Sequence, residues 1–64
     1  MISKNIKILR KQLKLSQEEL AKKAGITYST LIKLESGANL NPTLETARKL
    51  ARALTVSIDE LAKE

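Results

Sequence analysis

The 64-residue sequence has no cysteine, histidine, tryptophan or phenylalanine, and Tyr28 is its single aromatic residue. Without cysteine there are no disulfides, thiolate metal ligands or thiol nucleophiles. Without histidine, imidazole ligation and a histidine-based acid–base pair are also out of reach. No cluster of convergent carboxylates replaces them, so no metal, cofactor or catalytic residue is expected and the chain is read as a non-enzyme. Long apolar runs are missing too. Nothing approaches the roughly 18 residues needed to cross a bilayer, and the first residues, MISKNIKILRKQ, are too charged for a signal peptide. With the absence of cysteine, this predicts a soluble cytoplasmic protein without a membrane partner.

What is present is basic and unevenly distributed. The net charge is +5. Residues 1–33 carry eight lysines and arginines against Glu18 and Glu19, a net +6, whereas the remainder carries four basic against five acidic groups, a net −1. An excess confined to one half suits a polyanionic partner such as nucleic acid, although lysines that merely solubilise the first helix would look the same. A chain of about 60 residues buries only about 60% of its unfolded surface, so a single small domain over residues 1–64 is expected.

No segment alternates with the period of a strand, and the punctuation divides the chain into five helices, an all-α fold. Ser3 is the expected cap of the first, in which Ile6, Leu9 and Leu13 recur at three and four residues. Ser16-Gln17-Glu18-Glu19 is a capping box that opens the second, and Gly25 ends it. Thr27 caps a third helix that runs to Ser36 and stops at Gly37. Thr43 caps a fourth with Leu44, Ala47, Leu50, Ala51 and Leu54 in one stripe. Ser57-Ile58-Asp59-Glu60 repeats the capping box before a short fifth helix holding Leu61.

Residues 17–36 have the spacing of a helix-turn-helix. Ala21 is small where two helices must cross, Gly25 allows the sharp reversal, and Leu31 and Leu34 give the third helix one inward edge against Leu20 and Ala24. At about 100° per residue, Ser29, Ile32, Lys33 and Ser36 then point outward, with Tyr28 on the flank. That face is short, polar and free of acid, because Glu35 falls on the inward edge. A helix entering the major groove needs such a face, whereas a merely solvated one usually carries scattered glutamates.

From Lys4 to Leu61 the chain resembles the Xre/Cro-type helix-turn-helix family of bacterial and phage repressors. The stretches that carry the resemblance are LRKQLKLSQEELAKKAGIT, LIKLESG, NPTLETARKLARAL and VSIDEL. It implies a compact five-helix fold, binding of double-stranded DNA at an operator and a two-fold homodimer.

The resemblance also implies roles. Gln17, at the start of helix 2, matches a phosphate-binding glutamine. Ser16 adds its hydroxyl or N–H to phosphate, or serves only as a cap. Tyr28 matches a position that reaches bases or backbone, and Ser29 and Lys33 match positions that read base edges, lysine by donating to guanine O6 and N7. Thr27 and Thr30 serve the cap and phosphates. Asn39 and Asn41 lie in a loop that matches a backbone-contacting one. Arg10 and Glu35 match a partly buried salt bridge between helices 1 and 3, chiefly architectural. Ile32 departs from the family pattern: it packs on a thymine methyl, meets a partner protein or touches nothing. Ile8 is a second departure. The dimer surface is expected near Val56, Ile58 and Leu61.

The function expected is that of a sequence-specific transcriptional regulator, most simply a repressor. The alternatives are an antitoxin or restriction–modification controller of the same fold, or an interaction module with a vestigial DNA face that binds a regulatory protein.

Overall fold

The computed structural model describes residues 2–38 and 41–63, and among these the chain forms five helices and no strand. They are α1 (Ile2–Gln12), α2 (Gln17–Ala24), α3 (Tyr28–Ser36), α4 (Leu44–Leu54) and α5 (Ile58–Ala62). Each contributes to one core, in which Ile6, Leu20, Leu31, Leu34, Leu50, Leu54 and Leu61 are fully buried. Burial of each such side chain stabilises the fold by about 1.5–3 kcal/mol.

Local chemistry sets most helix ends. Ser16 and Ser57 each accept from the backbone N–H three residues on, and the glutamates there, Glu19 and Glu60, accept in return from the cap N–H. Thr27 and Thr43 cap α3 and α4 through their hydroxyls. Gly25 adopts φ +72°, its N–H donates to the Lys22 carbonyl, and the Ile26 N–H donates back to Ala21. A Cβ added at Gly25 meets no atom within 4 Å. Gly25→Ala should therefore destabilise the chain through its backbone alone, by about 1–2 kcal/mol. Urea denaturation would measure this, and Gly25→Asn should lose less because asparagine tolerates the left-handed region.

Several sequence expectations are corrected. Ser3 does not cap α1: the helix already begins at Ile2, which packs on the core, and Ser3 is buried within the first turn. Leu13 lies beyond the end of α1 and is exposed; Lys14 turns at φ +58° and brings Leu15 to the core instead. Leu44 stays largely exposed on the rim of the α4 stripe, and Ala53 is the further buried member. α4 ends without glycine, at Thr55 with φ +58°, a conformation disfavoured for a β-branched residue. Leu61 is fully buried, so it offers nothing to a dimer surface; Val56 and Ile58 are half-buried against the core.

Two long-range hydrogen bonds from one side chain join α1 to the end of α5. Asn5 Nδ2 donates to the Leu61 carbonyl at 2.9 Å and also to Lys63 O. The side chain of α1 thereby satisfies carbonyls at the end of α5, which a helix terminus leaves without an internal partner.

Candidate nucleic-acid interface

α2 and α3 meet through Leu20, Ala21 and Ala24 on one side and Leu31 and Leu34 on the other, all buried. This fixes the rotation of α3. Tyr28, Ser29, Lys33 and Ser36 are exposed, Thr30 and Ile32 are half-buried, and Glu35 is buried. The accessible side of α3 therefore carries one charge, that of Lys33, and no acid. Ser29 and Lys33 are four residues apart and share a face. Tyr28 is 49% exposed and borders an open groove of about 800 Å³ along the flank of α2. The Ser36 hydroxyl is turned back on its own helix, donating to Lys33 O and accepting from the Ala38 N–H. Ile32 sits at the margin between core and outward face.

Glu35 is the hub beneath this face. It is 4% exposed, and its carboxylate accepts from Arg10 Nε at 2.7 Å and Arg10 Nη2 at 3.0 Å, a two-pronged pairing. The third donor of the arginine, Nη1, reaches the Leu15 carbonyl at 2.8 Å. Gln17 Nε2 donates to the same carboxylate at 3.2 Å. The Arg10–Glu35 pairing expected from the sequence is thus present, and Gln17 joins it. Part of the Gln17 amide is therefore used internally. No local spacing signals this link, because its partners lie 18 positions apart.

The groups on either side of this hub are also partly engaged. Ser16 N–H donates to Glu19 Oε1 at 2.8 Å, and its hydroxyl oxygen accepts from the Glu19 N–H at 3.0 Å, so the backbone donor of Ser16 is already used within the cap. The Thr27 hydroxyl donates to Thr30 Oγ1 at 2.7 Å while accepting from the Thr30 N–H, which leaves the Thr30 hydroxyl hydrogen to donate. Asn41 is exposed. Asn39 lies outside the described residues.

Hydrogen bonding from Ser16, its backbone N–H first and its side chain second, holds the Glu19 carboxyl below its usual range. A carboxylate whose folded value is depressed adds stability above its unfolded value, about 4.5, and loses it as pH falls through the lower folded one. Glu19→Gln keeps a capping side chain but not the charge. The thermal midpoints of the two proteins should differ at neutral pH and converge in acid; a gap independent of pH would refute the assignment.

The helix-turn-helix profile matches residues 6–61 of this sequence. The chain belongs to the Xre-type helix-turn-helix family. SinR of Bacillus subtilis, an HTH-type transcriptional regulator, is 38% identical over 64 residues, which is 100% of this chain and 58% of SinR. A crystal structure of SinR in complex with DNA superimposes with a TM-score of 0.92 at 38% identity, over 95% of this chain and 97% of that one. RstR, the cryptic phage CTXphi transcriptional repressor of Vibrio cholerae, is 44% identical over 52 residues, covering 81% of this chain and 46% of RstR. The restriction–modification controller protein C.AhdI from Aeromonas hydrophila has a TM-score of 0.87 at 35% identity, over 94% of this chain and 89% of that one. The chain spans about half the length of SinR and RstR.

In this chain α2 and α3 are the two helices of the helix-turn-helix unit. The structure brings Ser16 and Tyr28 to one groove, pairs Thr27 with Thr30 at the start of α3, ties Gln17 to Glu35, and leaves Ser29 and Lys33 exposed on α3. Arg10 and Glu35 lie behind it.

Proposed function

We propose that this chain binds double-stranded DNA with α3 in the major groove and regulates transcription, most simply as a repressor that occupies an operator. The observation that carries the reading is the rotation of α3. Its acid is folded inward onto Arg10, and Tyr28, Ser29 and Lys33 face out. Lys33 and Ser29 read base edges, Tyr28 reaches bases or backbone, and Ile32 lies where a thymine methyl can cover its exposed part. Gln17, Ser16, Thr27, Thr30, Asn41 and Asn39 serve phosphates and set the register. The likeness to SinR, whose complex with DNA has been solved, supports this placement.

Dimensions favour a pair of copies. α3 has 9 residues, about 14 Å of helix at 1.5 Å per residue, which suits a groove about 12 Å wide. The longest extent of the chain is 24 Å, whereas successive half-sites are about 34–36 Å apart. One copy reads one half-site, and a palindromic operator takes two. A cytoplasmic location follows from the reading as a DNA-binding regulator, and no helix among the described residues is long and apolar enough to cross a membrane. A regulatory protein partner is part of the proposal, supported by the solved complex of SinR with SinI. The likeness to C.AhdI favours a restriction–modification controller as the second reading; it shares the same DNA-facing surface.

Selection of bound sites from random duplexes tests the proposal. It should recover an inverted repeat whose affinity falls steeply as salt rises, because lysines release counterions from the phosphates. Binding without a salt slope, or no enriched site, would overturn it.

A further inference from the structure

A second charged surface shares no residue with the DNA-facing one. Lys23 and Ala24 at the end of α2 and Arg48, Lys49, Arg52 and Ala53 of α4 border a groove of about 520 Å³. Glu45, the one acid along it, is paired with Lys49 at 3.2 Å. Lys23, Arg48 and Arg52 are exposed and have no ion-pair partner among the described residues. Below them lie Ala24 and Ala53, both buried, so the floor is apolar and lined with small side chains.

The arrangement has a definite geometry. Arg48 and Arg52 are one turn apart, about 6 Å along α4. Carboxylates spaced i and i+4 on a helix have the same separation, so two such acids can meet both arginines at once. Small residues beneath them let a second helix axis come close. Lys23 and Lys22 sit on opposite flanks of α2: Lys22 borders the groove beside Tyr28, and Lys23 borders this one.

From this geometry we infer that the groove between α2 and α4 docks an acidic amphipathic helix of a partner protein. Its carboxylates pair with Arg48 and Arg52, and its small apolar side rests on Ala24 and Ala53. A compact phosphate suits the groove less well. It has no apolar side to set against Ala24 and Ala53 on the floor. Duplex DNA suits it less well too, since α3 lies outside it and its floor is apolar and concave. A helix seated here leaves Tyr28, Ser29 and Lys33 uncovered, so the partner binds protein that is already on its operator.

The test uses the 64-residue chain and two synthetic peptides of one composition. In one, glutamates recur at i and i+4 beside an alanine stripe; in the other, the order is scrambled. Backbone amide shifts should move at Lys23, Ala24, Arg48, Arg52 and Ala53 with the patterned peptide. The scrambled peptide, and the doubly substituted Arg48→Gln/Arg52→Gln chain with the patterned one, should bind roughly tenfold more weakly. These side chains are exposed, and circular dichroism checks that the variant keeps its helices; should the double variant unfold, Arg48→Gln alone gives the same reading. The patterned peptide is also titrated onto the chain saturated with its selected duplex, where the same shifts are expected. Equal binding of both peptides, shifts centred on α3, or tripolyphosphate moving these amides while the patterned peptide does not, would each overturn the inference. So would an intact double variant that loses DNA affinity and keeps peptide affinity. Because the first titration contains no DNA, its outcome is independent of the operator-binding proposal.

Discussion

Arg10→Ala should destabilise the chain by roughly 3–5 kcal/mol, because it leaves the Glu35 carboxylate buried without its cation. The side chain of Glu35 is 1% exposed and takes two of its three hydrogen bonds from Arg10. The remaining donor, Gln17 Nε2 at 3.2 Å, is neutral. A chain of 64 residues has about 3–10 kcal/mol of total stability at the usual figure per residue. The loss is therefore comparable with the whole, and much of the variant should be unfolded at physiological temperature. Chemical denaturation followed by circular dichroism would measure it. Replacing both partners, Arg10→Met with Glu35→Met, removes the stranded charge and should recover most of the stability, since a well-packed apolar pair can equal a buried ion pair. A single variant that lost less than about 1 kcal/mol would mean that the carboxylate is not desolvated as the geometry requires.

Lys33→Glu is expected to abolish preference for the selected operator while leaving the fold intact. Lys33 is exposed and makes no ion pair among the described residues. Loss of one good base contact removes about 1–3 kcal/mol of discrimination, so Lys33→Ala should weaken specific binding roughly tenfold to a hundredfold. The carboxylate does more, because it places an anion among phosphates in a face that otherwise has no acid. Fluorescence anisotropy with the selected duplex and a shuffled one, at matched salt, separates the two effects. Lys33→Ala should erode the difference between the duplexes, and Lys33→Glu should erase it and weaken both. If Lys33→Ala keeps the wild-type site preference, Lys33 does not read a base.

The parts of this molecule that were legible in its sequence are those fixed by neighbours along the chain. Both serine–glutamate capping boxes, the threonine caps of α3 and α4 and the left-handed Gly25 involve groups within a few residues, so residue type at a fixed offset identifies them. The inward edge of α3 was legible for the same reason: a helical period and Leu31, Leu34 and Glu35 settle its rotation. Spacing alone misplaces Ser3 and Leu13, which depend on where α1 begins and ends, and Leu44, whose exposure depends on which distant helices reach it. The left-handed turns at Lys14 and Thr55 were invisible because neither residue type favours them. The bond from Gln17 to Glu35 and the convergence of Lys23 with Arg48 and Arg52 depend on how α1, α2, α3 and α4 pack. The Arg10–Glu35 pairing spans 25 positions, and the family resemblance indicates it where spacing does not.

The clasp made by Asn5 bears on the order in which the molecule assembles. Its partners lie 56 and 58 positions away, so closing it fixes a loop of nearly the whole polypeptide. The entropy of such closure rises with the logarithm of loop length, whereas α2 and α3 need only a three-residue reversal to find one another. The middle of the chain can therefore condense at little entropic cost, and the seating of the last helix against the first draws on a scaffold that is already in place.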